Sequence, residues 1–192
     1  MTLGAFERDL IALIDKPTDL RPFVCEGSPL DCSVFLVGLN PATSLAADFW
    51  QFWNADRGYD KARWFRHYLA ERAAEPLKLG KKSRPAVSPT RRNIEAFVEG
   101  AGGARVLETN IYAKASDDLK SLAPASRELA PFRFLIDAIR PKVIVVHGKL
   151  AVEAMAKLQV SSRVIIADHH FSRKTSRETA RALGARAALL AA

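Results

Sequence analysis

Cysteine is nearly absent from this chain, which has two, Cys25 and Cys32, among 192 residues. An iron–sulfur cluster or a Cys-rich zinc site needs further thiolates. The sequence therefore excludes both kinds of site, and it predicts no metal and no other cofactor. Two thiols in such a chain are typical of packing residues in a reducing cytoplasm rather than of a disulfide. We therefore expect a cytoplasmic protein with two free cysteines.

Long apolar runs are also lacking, because no run approaches the roughly 18 residues that a membrane span needs. Charged residues (Glu7, Arg8, Asp9 and Asp15) interrupt the apolar positions of residues 1–17. This pattern predicts an amphipathic helix rather than a signal peptide. We therefore expect no membrane partner. We also expect the protein to be a monomer.

The composition is that of an ordinary globular protein, with 48% hydrophobic and 26% charged residues. A chain of this length fits one domain, which we expect to span residues 1–192. Lys and Arg number 29 against 21 Asp and Glu, so the net charge is +8. That excess favours a polyanionic partner such as nucleic acid. The alternative is a basic surface without a specific partner.

Hydrophobic periodicity predicts an alternation of helices and strands. Four apolar strands are expected, at residues 34–37, 105–109, 143–146 and 163–166. Helices are expected at residues 6–14, from 60, at 89–100, at 129–139 and at 150–158, followed by a closing helix. The helix that begins at Pro89 has Ser88 as its N-cap, and Thr175-x-x-Glu178 forms a capping box at the closing helix. The fold class is therefore α/β, a three-layer fold in which helices flank a central, largely parallel four-stranded sheet.

Polar side chains follow the predicted strands, where ligands of parallel sheets bind. Asn40 follows the first strand in Gly38-Leu39-Asn40-Pro41, and its amide can orient a water. Asn110 follows the second strand and offers both a donor and an acceptor. Asp168-His169-His170-Phe171-Ser172-Arg173 follows the fourth. Each has a plainer interpretation, because Asn40 can cap a turn and the last segment can be a surface loop. We interpret His147, after the third strand, as structural.

Four short motifs, taken in order, resemble the uracil-DNA glycosylase superfamily. They are Gly-Leu-Asn-Pro at 38–41, Thr-Asn-Ile-Tyr at 109–112, Pro-Lys-Val-Ile-Val-Val-His-Gly-Lys-Leu-Ala at 141–151, and His-Phe-Ser-Arg at 170–173. The match spans roughly residues 33–173. The Gly-x-Asn-Pro form is similar to the mismatch-specific and single-strand-selective branches. The branches that hold an iron–sulfur cluster are excluded by the cysteine count.

This resemblance implies a role for each motif. Asn40 would position the hydrolytic water, and His170 would stabilise the departing base. Asn110 would read the base edge, with Gly38 and Leu39 beside it. An aromatic residue after the first motif would stack on the base, which indicates Phe52, with Phe49 and Trp53 as alternatives. Such an aromatic cluster is equally typical of a core.

The expected DNA contacts are mostly basic, and only those of the last motif, Ser172 and Arg173, are implied by the resemblance. They are Lys81, Lys82 and Arg84 in a loop rich in Gly and Pro, Arg91, and the late-loop residues Ser172 and Arg173. The alternative for these charges is a solvated surface. Two positions depart from the family pattern: Ala42 replaces a Gly and Phe171 replaces a Pro.

The expected function is hydrolysis of the N-glycosidic bond of uracil or a related damaged base in DNA, as in base excision repair. The alternative is a non-catalytic protein of the same fold that binds nucleic acid or a nucleotide, because fold does not determine function.

Overall fold

The central feature of the computed structural model is a five-stranded, mostly parallel sheet with helices on both faces. The structure describes residues 1–42, 45–77, 79–80, 82–116, 118–172 and 174–192. The helices are α1 (Leu3–Ile14), α2 (Lys61–Ala74), α3 (Pro89–Ala101), α4 (Ala130–Ile139), α5 (Lys149–Met155) and α6 (Arg177–Ala191). The strands are β1 (Phe23–Val24), β2 (Val34–Gly38), β3 (Trp53–Asn54), β4 (Gly58–Tyr59), β5 (Val106–Asn110), β6 (Val143–Val146) and β7 (Arg163–Ile166). None of the helices in these described ranges is long and apolar enough to cross a membrane.

The four predicted strands are confirmed as β2, β5, β6 and β7, but the predicted strand number is wrong. The sheet has the order β1-β5-β2-β6-β7, and β1 runs antiparallel to β5. Because β1 has only two residues, it carries no alternation that periodicity could detect. β3 and β4 form a separate two-stranded ribbon.

Side chains of the central strands alternate between two buried clusters, one on each face of the sheet. In β2, Phe35 and Val37 pack in the cluster that includes α1 and α4. Val34 and Leu36 pack in the cluster that includes α3 and α6. This alternation follows from the two-residue period of a strand, and a strand covered on both faces is apolar throughout. Cys25 and Cys32 are buried and free, as predicted.

Helices α3 and α6 approach each other closely at two glycines. A Cβ atom at Gly184 would lie 2.0 Å from the carbonyl oxygen of Phe97, and one at Gly100 would lie 2.0 Å from that of Arg181. Both positions therefore require glycine. This contact holds α6, and the loop before it, against α3.

The N-terminal cap of α3 is confirmed, since the Ser88 hydroxyl accepts a hydrogen bond from the Arg91 backbone N–H at 3.1 Å. The predicted capping box of α6 is wrong by one residue. Ser176 is the N-cap and accepts from the Thr179 N–H at 3.0 Å. The Thr175 hydroxyl instead donates to the carbonyl oxygen of His170 at 2.9 Å. Thr175 therefore belongs to the loop that carries His170.

Candidate active site

A cavity of about 430 Å³ opens at the carboxyl ends of the parallel strands. We call it the strand-end cavity. Its volume falls within the roughly 300–1,000 Å³ typical of small-molecule sites. The sheet register explains which residues meet there, because Gly38 pairs with Asn110 and Val37 with Val146. The residues that follow three adjacent strands therefore lie side by side.

Asn40, Asn110 and His170 all line the strand-end cavity, together with Gly38 and Leu39. Arg91 lines it as well, so the tertiary structure brings together six of the site residues that the sequence singled out. His147, interpreted from sequence as structural, also lines this cavity. Within the described parts of the chain, no group of three or more His, Cys, Asp or Glu side chains is arranged to hold a metal ion.

The amide of Asn40 is held in one orientation by the segment that follows β5. Its Nδ2 donates to the Ser116 carbonyl oxygen at 2.8 Å, to the Ser116 Oγ at 2.9 Å and to the Pro41 carbonyl oxygen at 3.2 Å. These bonds use the donors of the side chain. They leave Oδ1 as an acceptor, which can orient a water but is too weak a base to remove its proton.

Asn110 ends β5, where its side chain lies against the backbone of Gly38. A Cβ atom at Gly38 would lie 2.7 Å from Asn110 Oδ1 and 3.4 Å from the His147 ring. Glycine at position 38 therefore leaves room for both side chains. The following backbone is held by two hydrogen bonds, from Ile111 to the Gly38 carbonyl oxygen at 3.0 Å and from Tyr112 to that of Leu39 at 2.9 Å.

His147 and His170 form an edge-to-face pair whose ring centroids are 4.9 Å apart. Burial, followed by the neighbouring charge of His170, lowers the pKa of His147 to about 3. The Nδ1 atom of His147 is buried without a hydrogen-bond partner in the described chain. Partial burial also lowers the pKa of His170, which stands at the rim. Both imidazoles are therefore neutral at pH 7, and each has one N–H donor.

The loop that carries His170 is anchored by Asn93, a fully buried residue of α3 that sequence reasoning missed. Asn93 Nδ2 donates to the carbonyl oxygen of Thr175 at 2.7 Å and to that of Ser172 at 3.2 Å. The sequence carries a signal for this residue, because Asn93 lies three positions before Ala96 and four before Phe97. That spacing places a polar side chain on the apolar face of α3.

Phe52 does not line the strand-end cavity. Its side chain is 3% exposed and lies in the core, with its ring centroid 6.0 Å from that of Tyr59. The two alternatives, Phe49 and Trp53, pack in the same aromatic core. All three aromatic residues therefore belong to the core, which was the alternative interpretation of this cluster.

Arg91, predicted as a phosphate contact, is buried at the wall of the strand-end cavity and is already paired with carboxylates. Four side chains, which we call the charge cluster, pair there: Lys61, Arg91, Glu95 and Glu108. Arg91 Nη1 bonds to Glu108 and, at 3.0 Å, to Glu95. Lys61 Nζ lies 2.9 Å from Glu108 Oε1 and 3.0 Å from Glu95 Oε2.

Glu108 is the central carboxylate of the charge cluster and lies at the wall of the strand-end cavity. Burial alone would raise the pKa of Glu108, but the charges and hydrogen bonds of Arg91 and Lys61 outweigh burial and lower it to about 2. Sequence reasoning missed this residue. Its signal is a single carboxylate inside the buried strand Val106–Asn110.

The other predicted DNA contacts differ in their exposure and in their pairing within the protein. Arg84 is tied to its own loop, where it pairs with Glu75 and donates to the carbonyl oxygens of Arg72 and Pro76. Lys82 is exposed, and Ser172 is partly exposed next to His170. Lys81 and Arg173 lie outside the described residues.

Lys149 is a rim cation that the sequence did not single out as a site residue. It begins α5, lines the strand-end cavity and has a side chain that is 88% exposed.

A scan against protein-family models and a search of curated proteins found no match to this chain.

Proposed function

We propose that this chain is a DNA glycosylase that hydrolyses the N-glycosidic bond of uracil or a related damaged base. The observation that carries the proposal is the convergence of Asn40, Asn110 and His170 on one cavity of ligand size. A glycosylase needs such a cavity because it must take the base out of the stack before it acts.

The amide of Asn110 supplies the recognition that such an enzyme requires. A planar amide presents one donor and one acceptor, which match the N–H and C=O of a pyrimidine edge. The side chain is positioned by its strand and by the close backbone of Gly38. A base with the opposite pattern of donors and acceptors would leave the amide unpaired.

In the proposed reaction, the bond between the sugar C1′ and the base nitrogen breaks, and its electron pair leaves with the base. The oxygen of a water bonds to C1′, and one proton of that water is released to solvent. Asn40 Oδ1 accepts a hydrogen bond from this water and orients it. His170, neutral at pH 7, donates its N–H to the oxygen of the leaving base, where negative charge develops.

Contacts with DNA phosphates would come from exposed cations beside the cavity. Lys149 stands at the rim, and the chain has an overall charge of +8. Arg84 and Arg91 take little part, because both are already paired within the protein.

The test is a base-release assay on single-stranded and double-stranded DNA that contains one uracil. Asn40→Ala and His170→Ala should each slow release by about 10²–10³-fold, the effect of losing one positioned group, while DNA affinity stays nearly constant. His169→Ala and Asn54→Ala are matched controls at exposed positions outside the cavity, and they should release uracil at the normal rate.

Two outcomes would contradict this proposal. One is a wild-type protein that binds DNA but releases no uracil, hypoxanthine or other damaged base, which would favour the non-catalytic alternative. The other is equal rates for His170→Ala and His169→Ala, which would remove His170 from the chemistry.

A further inference from the structure

Arg21 is a cation at the wall of the strand-end cavity. It lies two residues before β1, where its backbone N–H bonds to the Ala113 carbonyl oxygen at 2.9 Å. Its side chain lines the cavity and is largely buried. In the described part of the chain, no carboxylate lies within ion-pair distance of Arg21.

The two carboxylates of the charge cluster are already neutralised. Glu95 and Glu108 each pair with Lys61 and with Arg91, so the charge cluster has two negative and two positive charges. Arg21 adds a positive charge that nothing in this cluster balances. Burial, and then the like charge of Arg91, lowers the pKa of Arg21 to about 10, so the side chain remains charged at pH 7.

The surroundings of Arg21 suit a flat anionic group. Its guanidinium carbon lies 5.9 Å from the centroid of the Trp64 ring, which Arg91 also contacts at 4.6 Å. The hydroxyl-bearing residues Ser88 and Thr90, at the start of α3, line the same cavity. A guanidinium binds a carboxylate or a phosphate through two parallel hydrogen bonds, and these are stronger than bonds between neutral groups.

We infer that the strand-end cavity binds a planar heterocycle that carries an oxyanion, a carboxylate or a phosphate, and that Arg21 binds this oxyanion. An unpaired charge inside a protein is costly, and the ligand would supply the missing partner. Asn110, in the same cavity, takes the amide edge of the ring. This inference concerns binding at equilibrium and holds whether or not the chain breaks a glycosidic bond.

The test is calorimetric titration of the full chain with two pairs of ligands. Orotate and uracil differ by a carboxylate on the ring, and uridine monophosphate and uridine differ by a phosphate on the ribose. We expect one anionic ligand to bind at least about tenfold more tightly than its neutral counterpart, as a charged hydrogen-bonded pair requires. A preference within the first pair identifies a ring carboxylate, and a preference within the second identifies a phosphate. Inorganic phosphate is titrated alone, and equally tight binding of it would contradict a heterocyclic ligand.

Variants of Arg21 separate this site from general attraction to a basic protein. Arg21→Gln should abolish the preference for the anionic ligand, and Arg21→Lys should retain part of it. Arg66→Gln removes an exposed cation of α2 that lies outside the cavity, and it should leave the preference unchanged. Equal affinities for charged and neutral ligands in the wild type, an absence of binding, or an equal loss in Arg66→Gln would each overturn the inference. Base release from DNA is measured separately, so its failure and the failure of this site are distinguishable.

Discussion

The ring of Phe171 lies parallel to the ring of His147, with centroids 4.7 Å apart and an angle of 13° between the planes. Phe171 is fully buried, and its ring centroid lies 6.0 Å from that of Phe97. Position 171 is therefore occupied by a core residue. The Phe171 side chain packs the loop that follows β7 between α3 and the end of β6. It thereby stabilises the His147–His170 pair.

We predict that Phe171→Ala lowers the free energy of unfolding by about 3–5 kcal/mol, the usual cost of truncating a buried phenylalanine. Urea denaturation at pH 7 measures it. Phe171→Leu, which retains most of the apolar volume, should cost clearly less. A change below about 1 kcal/mol for Phe171→Ala would show that the loop does not depend on this packing.

His147 should make the protein sensitive to mild acid. The pKa of His147 is lowered to about 3 in the folded protein. In the unfolded chain the same ring takes up a proton near its ordinary pKa of about 6.5. The stability from the neutral ring is complete above pH 6.5 and is lost as the pH falls toward 3. The free energy of unfolding should drop by about 2 kcal/mol between pH 7 and pH 5 from this group alone. Urea titrations of His147→Phe, which cannot protonate, should have a smaller dependence over this interval, and an identical dependence would refute the assignment.

Asn110→Asp should reduce uracil release tenfold or more, because the carboxylate cannot donate to the base and an unpaired buried polar group costs about 1–3 kcal/mol. Single-turnover kinetics on uracil-containing DNA measure the loss. The control is Asn54→Asp, since Asn54 Oδ1 only accepts hydrogen bonds in an exposed turn and Asp can replace it. Unchanged release by Asn110→Asp would remove this residue from base recognition.

Glu108→Gln should lower the free energy of unfolding by about 3–5 kcal/mol, since it leaves buried cations without their counter-charge. Arg91 and Lys61 both depend on this carboxylate. Thermal and urea denaturation check the value, with the exposed Glu128→Gln as the matched control. If the two variants are equally stable, the charge cluster is not a structural element of the sheet.

DNA binding should weaken steeply with salt, because each phosphate contact releases condensed counterions and adds about 0.9 to the logarithmic slope. Charge reversal at Lys81 and Lys82 should weaken binding to all sequences alike. Fluorescence anisotropy over a salt series measures both effects. Lys157→Glu, an exposed reversal just beyond the far end of α5 from Lys149, is the control. A flat salt response would contradict a phosphate-binding surface.

The amino-acid sequence by itself determined the four longer strands of the sheet and the residues that follow them. Hydrophobic periodicity is a local property, so runs such as 143–146 and 163–166 could be located without tertiary information. Asn40, Asn110 and His170 follow from the same logic, because residues at the carboxyl ends of parallel strands share one edge of the sheet.

Only the tertiary structure decided which charges and aromatic rings are available to a ligand. Arg91 is neutralised by Glu108, 17 positions away. Because Glu108 pairs with Arg91 and Lys61, Arg21 has no carboxylate partner among the described residues. Phe52 lies in the core although it follows the first motif at the expected distance. Ion pairing and burial depend on contacts between residues far apart in the chain, and local spacing carries no information about these contacts.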